Sequence, residues 1–159
     1  MKLKVVLYGA GGHGKVVADM VEKQGKFSIA GFIDDRKTGN AFGYPILGTG
    51  ADLARLFGRG IRRAIVSIGD GKTRKEKHRL VLKAGLELAA IVHPSAQTAR
   101  GVEIGRGTVV MPGAVIGPDA KIGEGCIINT CASVDHDCRL GDFVHIAPGA
   151  NLCGSAVIH

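Results

Sequence analysis

Residues 104–123 read IGRGTVVMPGAVIGPDAKIG, and an aliphatic residue returns in this stretch at every sixth position. The interval continues to the end of the chain, and the residues that share it are Ile104, Val110, Ile116, Ile122, Ile128, Val134, Leu140, Ile146, Leu152 and Ile158. An amphipathic helix would repeat its apolar residues every three or four positions, and a single strand would alternate and stop. A sustained repeat of six predicts a hexapeptide parallel β-helix, in which three short strands form one triangular coil.

A second column of compact side chains supports this fold. It stands two residues before each aliphatic residue and comprises Val102, Thr108, Ala114, Ala120, Cys126, Ala132, Cys138, Val144, Ala150 and Ala156. We expect both columns to point into the prism, where burying one large aliphatic side chain contributes about 1.5–3 kcal/mol. Gly105, Gly117, Gly123 and Gly141 follow an aliphatic residue directly. We expect them at corners, because glycine accepts backbone angles that other residues avoid. The repeat ends in mid-coil, and since repeat folds usually carry caps, we expect further coils to follow.

Composition separates the chain into two parts. Hydrophobic residues make up 45% of it, but aromatic residues only 4%, which suits a narrow prism filled by Ile, Val and Ala. Residues 1–93 carry 17 Lys and Arg against 8 Asp and Glu, whereas residues 94–159 carry 4 against 6. The basic first part indicates an anionic ligand such as a nucleotide or phosphate.

The cysteines and the N-terminus predict a cytoplasmic protein. All four cysteines lie within the repeat, and Cys126 and Cys138 occupy the compact inward position, where we expect buried thiols. No CxxC pair occurs, which favours a reducing compartment. No signal peptide is recognisable, and no apolar run approaches the roughly 20 residues of a membrane span.

The first 93 residues predict a Rossmann-like nucleotide-binding domain. A strand at 4–8 leads into the glycine loop GAGGHG at 9–14, then a helix at 15–23 and a strand at 27–33 that ends at Asp34 and Asp35. Gly9, Gly11 and Gly14 fit the pattern G-x-G-x-x-G, with an acidic residue about twenty positions later. In such a motif the backbone approaches a pyrophosphate at the helix N-terminus.

Further elements complete this first domain. We predict a short helix at 51–57, a strand at 63–68, a helix at 72–84 and a strand at 86–92. The helix at 72–84 carries six basic residues, which we interpret mainly as a solvated face, with steering of anions as the alternative. His93-Pro94-Ser95 then breaks the pattern, because the residue before proline avoids helical angles. We therefore place the domain boundary between residues 93 and 94.

One polar site stands out in the repeat, around Asp135-His136-Asp137. His136 comes two residues after inward-pointing Val134, at a corner, and Gly154 lies about one coil later. An exposed histidine between carboxylates suits general-base chemistry near neutral pH. Either Asp135 or Asp137 would hold the second ring nitrogen and fix the tautomer. A surface histidine without catalytic function is the alternative.

The histidines and cysteines of the repeat raise the hypothesis of a metal site. His136, His145 and His159, or Cys138 with Cys153, could be ligands on a prism like that of the γ-type carbonic anhydrases. The histidine spacings of nine and fourteen do not match the close pair of those enzymes. We expect no metal.

The combined motifs resemble the bacterial sugar acyltransferases, which include nucleotide-aminosugar N-acetyltransferases and sialic acid O-acetyltransferases. The resemblance covers essentially the whole chain and rests on these motifs: GAGGHG at 9–14, Asp34-Asp35, Ile68-Gly69-Asp70, His93-Pro94-Ser95, Asn129-Thr130 and VDHDC at 134–138. It implies a left-handed β-helix at 94–159 behind the Rossmann-like domain at 1–93. It also implies a homotrimer with active sites between subunits.

The resemblance also implies roles for individual residues. Gly11, Gly12 and His13 would hold the nucleotide-linked sugar, with Asp34 and Asp35 at its base or ribose and Gly69 as another pocket wall. His136 would be the catalytic base and Asp137 its carboxylate partner. His145 and Gly154 would contact acetyl-CoA, and Asn129 falls at an active-site asparagine of the family.

The resulting expectation is an acetyl-CoA-dependent N-acetyltransferase that acts on the amine of a nucleotide-linked 4-amino-6-deoxy sugar in bacterial glycan biosynthesis. Three alternatives stay open at this point: O-acetylation of sialic acid or another sugar hydroxyl, an NAD-binding oxidoreductase, and a non-catalytic trimeric scaffold. Nucleic-acid binding is not expected, because the basic residues match no reader motif and lack interleaved aromatic residues.

Overall fold

The computed structural model describes residues 2–159, which form two compact units, Met1–Ala89 and Ala90–His159. The first unit contains, in chain order, β1 (Leu3–Tyr8), α1 (Gly12–Gln24), β2 (Phe27–Ile33), β3 (Asn40–Ala41), β4 (Tyr44–Pro45), a 3₁₀ turn (Gly50–Asp52), α2 (Leu53–Gly58), β5 (Arg63–Val66), α3 (Gly71–Lys83) and β6 (Glu87–Leu88). β3 and β4 form a small antiparallel hairpin.

A parallel sheet in the order β2-β1-β5-β6 forms the centre of the first unit. The central strand β1 contributes Val5, Val6 and Leu7, all without solvent exposure. Such a continuous apolar run is typical of a parallel strand whose two faces are both covered. Strand β2, which follows β1 in the chain, pairs with one side of β1, and β5 pairs with the other side. The strand order therefore reverses at β1. That reversal marks the ligand-binding crevice in open α/β sheets.

One expectation about this unit is wrong, and a second holds only in part. The run 86–92 is not one strand: Glu87–Leu88 pairs with β5, while Ile91–Val92 pairs with a strand of the repeat. Of the six basic residues of α3, four are exposed as expected, but Arg74 and Lys77 are not. Arg74 is buried, and its guanidinium donates hydrogen bonds to the carbonyls of Ile68 and Gly69, so it fixes the loop after β5.

The second unit is a left-handed parallel β-helix, as predicted. Its strands are two residues long: β7 (Ile91–Val92), β8 (Gln97–Thr98), β9 (Glu103–Ile104), β10 (Val109–Val110), β11 (Val115–Ile116), β12 (Lys121–Ile122), β13 (Ile127–Ile128), β14 (Ser133–Val134), β15 (Arg139–Leu140), β16 (His145–Ile146), β17 (Asn151–Leu152) and β18 (Val157–Ile158). They form three four-stranded parallel faces, in which Val110 pairs with Ile128 and Ile128 with Ile146. One coil therefore spans eighteen residues, and the predicted register is correct.

The two inward columns form the core of the prism. From Val110 to Ile146 the aliphatic column is buried, and the compact column is buried from Thr108 to Cys138. Cys126 and Cys138 are buried free thiols, as expected. Thr108 is more than a filler, because its hydroxyl donates to the Gly123 carbonyl and accepts from the Cys126 N–H.

The explanation given above for the corner glycines is wrong. Gly105, Gly117 and Gly123 do not have positive φ angles; instead, a Cβ there would collide with the backbone of the next coil. The positive φ angles recur at another position of the repeat, held by Gly101, Gly107, Gly113, Asp119, Gly125, Cys131, Asp137, Phe143, Gly149 and Ser155. Glycine therefore serves two separate needs here, close stacking and the left-handed turn.

Candidate active site

A pocket of about 680 Å³ opens at the carboxyl ends of β1, β2 and β5. We call it the switch-point pocket; its lining residues are Tyr8, Gly9, Gly11, Gly12, His13, Asp34, Asp35, Arg36, Ser67, Ile68, Gly69, Thr73, Glu76 and Lys77. All the residues predicted to bind the nucleotide-linked sugar in the first unit thus line one pocket. It lies where the strand order reverses, the usual ligand position in this class of sheet.

The glycine loop and the first turn of α1 line the switch-point pocket with Gly11, Gly12 and His13. α1 begins after Gly11, and neither a side-chain cap nor an acidic residue occupies its first turn. The first N–H groups of such a helix have no partner within it and favour an anion. Gly14 is required by close approach, because a Cβ there would collide with the carbonyl of Gly9 and touch Phe32.

Asp34 fastens this loop. Its carboxylate accepts hydrogen bonds from the backbone N–H groups of Ala10, Arg36 and Lys37, at 2.8–3.0 Å. Partial burial would raise the pKa of Asp34, but these three donors and the charge of Lys37 outweigh it and lower the pKa. The family resemblance places Asp34 at the base or ribose of the nucleotide. In the structure its carboxylate instead links the glycine loop to the turn that follows β2.

Asp35 also has its oxygens occupied by protein donors, in a partly exposed polar cluster. Its oxygens accept from the Tyr8 hydroxyl and the Gly50 N–H, and the Lys77 ammonium lies 3.0 Å from Oδ2. Partial burial opposes ionisation, but these donors lower the pKa of Asp35, while burial and the neighbouring carboxylate raise the pKa of Tyr8. Sequence reasoning missed Tyr8 and Lys77. The helical spacing of Thr73, Glu76 and Lys77 was the available signal for a face directed at the pocket.

In the second unit, Asp135, His136, Asp137 and Gly154 form a polar corner, which we call the histidine corner. His136 follows β14, and the backbone N–H of Ser155, one coil later, donates to its carbonyl. The ring Nδ1 lies 2.9 Å from Asp137 Oδ2. Because an ionised carboxylate can only accept, Nδ1 carries the proton and Nε2 is left as the basic nitrogen. Asp135 instead accepts from the backbone N–H of His136.

The surroundings of His136 raise the pKa of its imidazole above that of a free histidine side chain. The hydrogen bond that His136 donates to Asp137 raises the pKa of His136, the charge of Asp135 adds to it, and slight desolvation opposes both. Of the two carboxylates that the sequence left open, the structure therefore places Asp137 at the ring and Asp135 at a distance where only its charge acts.

Gly154 lies directly against the imidazole. A Cβ built on Gly154 would be 2.5 Å from both Cε1 and Nε2 of His136. The stacking predicted from the repeat is thus present, and it requires glycine at position 154, because any larger side chain would collide with the ring.

Asn129 and His145 form a separate pair. Asn129 Oδ1 accepts from the Thr130 N–H, so its amide nitrogen faces His145 Nε2 at 2.9 Å and donates to it. His145 lies on β16 and His136 follows β14, on different faces of the prism.

None of the described residues forms a group of three or more His, Cys, Asp or Glu side chains that could hold a metal ion. No helix in the part of the chain covered by residues 2–159 is long and apolar enough to cross a membrane.

Known proteins resemble both units. Residues 4–81 match the PglD N-terminal domain family, and residues 101–136 match the bacterial transferase hexapeptide family. A solved variant of perosamine N-acetyltransferase from Caulobacter crescentus, in complex with CoA and GDP-perosamine, is 38% identical, with a TM-score of 0.94 over 97% of this chain and 73% of its own. The chain belongs to the hexapeptide sugar N-acetyltransferases.

Two further relatives agree with this membership. The acetyltransferase domain of PglB from Neisseria gonorrhoeae, solved in complex with acetyl coenzyme A, is 39% identical, with a TM-score of 0.90 over 97% of this acetyltransferase and 75% of its own chain. The GDP-perosamine N-acetyltransferase of Escherichia coli is 29% identical over 158 residues, which are 96% of this acetyltransferase and 71% of the relative. The resemblance inferred from the motifs, the enzyme class and the use of acetyl-CoA are confirmed.

Proposed function

We propose that this acetyltransferase moves the acetyl group of acetyl-CoA to the amine of a nucleotide-linked 4-amino-6-deoxy sugar in bacterial glycan biosynthesis. The observation that carries the proposal is the histidine corner: a basic Nε2, a carboxylate on the opposite ring nitrogen and the backbone of Gly154 directly against the ring. The relatives solved with CoA, GDP-perosamine or acetyl coenzyme A support the choice of substrates.

The chemistry follows from these groups. The amine nitrogen attacks the thioester carbonyl carbon, and His136 Nε2 takes the proton that the nitrogen loses. Asp137 stabilises the imidazolium that forms. The N–H of Gly154 would donate to the oxyanion of the tetrahedral intermediate, a contact typically worth about 3–4 kcal/mol. When the C–S bond breaks, the imidazolium returns its proton to the CoA sulfur.

The switch-point pocket would hold the nucleotide. Its glycine loop offers backbone N–H donors for the two phosphates, through Gly11, Gly12 and His13, with Gly69 as a further wall. Asp34 and Asp35 would shape this site through the backbone and Lys77 rather than bind ribose hydroxyls, because their oxygens are already engaged. This argues against the NAD hypothesis, which relied on Asp34 as a free ribose acceptor.

The assembly that we infer is a homotrimer in the cytoplasm. One chain holds Asn129 and His145 on a different face from His136, so residues that the family resemblance joins in one site are separated within a single β-helix. A neighbouring subunit could supply the second set. Val115 and Val157, which are exposed on two faces, give those faces an apolar surface for contact.

The test is the variant His136→Ala, assayed with acetyl-CoA and GDP-perosamine. Loss of the general base should lower kcat about 100- to 10,000-fold. Binding of GDP, measured by calorimetry, should not change, because the switch-point pocket lies wholly in the first unit. The matched control is His159→Ala, which removes another exposed histidine and should retain full turnover. If His136→Ala keeps kcat within a few fold of the unsubstituted enzyme, another group removes the proton.

A further inference from the structure

The switch-point pocket is lined by three carboxylates, and in two of them both oxygens accept hydrogen bonds from the protein. Asp34 accepts three backbone N–H bonds, and Asp35 is surrounded by Tyr8, Gly50 and Lys77. The third is Glu76, whose Oε1 lies 3.1 Å from the Lys77 ammonium and whose side chain is 64% exposed. Its second oxygen, Oε2, accepts no hydrogen bond from the described residues. Glu76 is therefore the carboxylate of this pocket that remains available to a ligand.

Lys77 pairs with Glu76 and is itself held in place by the protein. The Lys77 side chain is only 15% exposed, because its ammonium is held at 3.0 Å by Asp35 and lies 5.7 Å from the centre of the Tyr8 ring. The same ammonium contacts Glu76 Oε1, so it orients the carboxylate from one side. Since Lys77 is shared with Asp35, the pair of carboxylates keeps a net negative charge, and Glu76 still attracts N–H donors.

Different walls of the pocket favour different parts of a nucleotide. The phosphates are favoured where α1 begins, because the N-terminus of a helix attracts an anion. They are disfavoured beside Glu76, because two negative charges would repel each other. The wall formed by Thr73, Glu76 and Lys77 of α3 is therefore left for the base.

We propose that Glu76 binds the Watson–Crick edge of a guanine base and so makes this enzyme selective for GDP-linked sugars. Guanine places N1–H and N2–H₂ side by side, and a carboxylate accepts both donors. Uracil offers one N–H between two carbonyl oxygens, which the carboxylate would repel. The inference rests on the proposed function only in that the pocket holds a sugar nucleotide. An independent support is the relative solved with GDP-perosamine.

The experiment compares the binding of GDP, IDP and UDP to the whole chain by calorimetry, without any acetyl donor. IDP differs from GDP in lacking the N2 amine, so it removes one of the two donors. The unsubstituted enzyme should bind GDP more tightly than IDP or UDP. Glu76→Gln should weaken GDP about 10- to 100-fold, because a charged acceptor for two donors becomes a neutral one. The preference for GDP over IDP should shrink in the same variant.

The matched control is Glu87→Gln. Glu87 is equally exposed, at 66%, and is paired with Arg63 as Glu76 is with Lys77, but it does not line the pocket. Its GDP affinity should equal that of the unsubstituted enzyme. The proposal is overturned if Glu76→Gln binds GDP within twofold of the unsubstituted enzyme, or if GDP, IDP and UDP bind equally. Because no acetyl transfer is measured, a chain that selects GDP through Glu76 but transfers no acetyl group would contradict the proposed function alone.

Discussion

In the first unit, the carboxylates of the switch-point pocket are held by donors from distant parts of the chain: Asp35 alone gathers Tyr8, Gly50 and Lys77. In the second unit, the side chain at the centre of the site depends on near neighbours and on stacking. His136 bonds to the next residue, Asp137, and faces Gly154, which the eighteen-residue coil brings beside it.

The two sites therefore tolerate change differently. Removing a carboxylate from the pocket leaves backbone donors without partners, so its first effect is on folding. Changing the exposed histidine corner should alter chemistry while the prism, whose core is the two inward columns, stays intact. Three variants test this difference, and they are taken here from the largest expected effect to the smallest.

The largest effect is expected from Gly154→Ala. The new Cβ would lie 2.5 Å from Nε2 and Cε1 of His136, so the imidazole must swing away from its present position. Since small displacements of a catalytic group are costly, we expect kcat to fall about 100-fold. The melting temperature should change little, because the exposed ring, rather than backbone, gives way.

Gly141→Ala is the control for this variant. Gly141 stands in the same β-helix, and a Cβ there meets nothing closer than 3.4 Å, at the carbonyl of Ile158. Its kcat and melting temperature should stay near those of the unsubstituted enzyme. An active Gly154→Ala enzyme, with kcat unchanged, would show that the ring position seen here is not the one used in catalysis.

Asp34→Ala should show the opposite pattern. It leaves the N–H groups of Ala10, Arg36 and Lys37 without their shared acceptor, and we expect the free energy of unfolding to fall by about 1–3 kcal/mol. GDP affinity should fall as well, because the glycine loop loses its fastening. Urea denaturation followed by circular dichroism measures the first effect, and calorimetry measures the second.

Asp19→Ala provides the comparison for Asp34→Ala. Asp19 makes an exposed ion pair with Lys23 one helical turn away. Such pairs contribute between zero and about 1 kcal/mol, so stability and GDP binding should hardly change. Equal stabilities of the Asp34 and Asp19 variants would contradict the view that the pocket carboxylate is structural.

The contrast also explains what could be read from the sequence. The β-helix, its register and the stacking of Gly154 on His136 follow from one interval, because every coil repeats the last. The sequence could also place Asp34 and Asp35 after β2. It could not show that both carboxylates are engaged, because their donors at Ala10, Gly50 and Lys77 come together only in three dimensions.

Two errors have the same origin. The helix at 71–83 looks like a solvated basic face, but the carbonyls after β5 and the carboxylate of Asp35 draw Arg74 and Lys77 inward. The run 86–92 reads as one strand because all its apolar residues need a core, yet the strands at 87–88 and 91–92 belong to different sheets. Composition indicates burial, but it does not indicate which neighbour provides it.

The smallest effect is expected from Asp137→Asn, and it should appear mainly in the dependence on pH. The hydrogen bond that His136 donates to Asp137 raises the pKa of His136, and the charge of Asp135 adds to this effect. A general base acts only when neutral, so kcat/KM of the unsubstituted enzyme should fall as the pH drops through this raised pKa. Asparagine can still accept from Nδ1–H but carries no charge. The pKa should therefore fall, and the acidic limb of the profile should move to lower pH. Well above the pKa, kcat should drop by about fivefold or less, since the interaction is exposed.

Asp135→Asn separates charge from contact at the same corner. Asp135 does not touch the ring and contributes only its charge to the pKa of His136. Its variant should move the acidic limb in the same direction but less far, while kcat above the pKa stays unchanged. A limb that stays in place in both variants, or that moves to higher pH in Asp137→Asn, would mean that the titrating group is not His136. The hydrogen bond between His136 and Asp137 would then have a structural role, like the hydrogen bonds of Asp34 in the switch-point pocket.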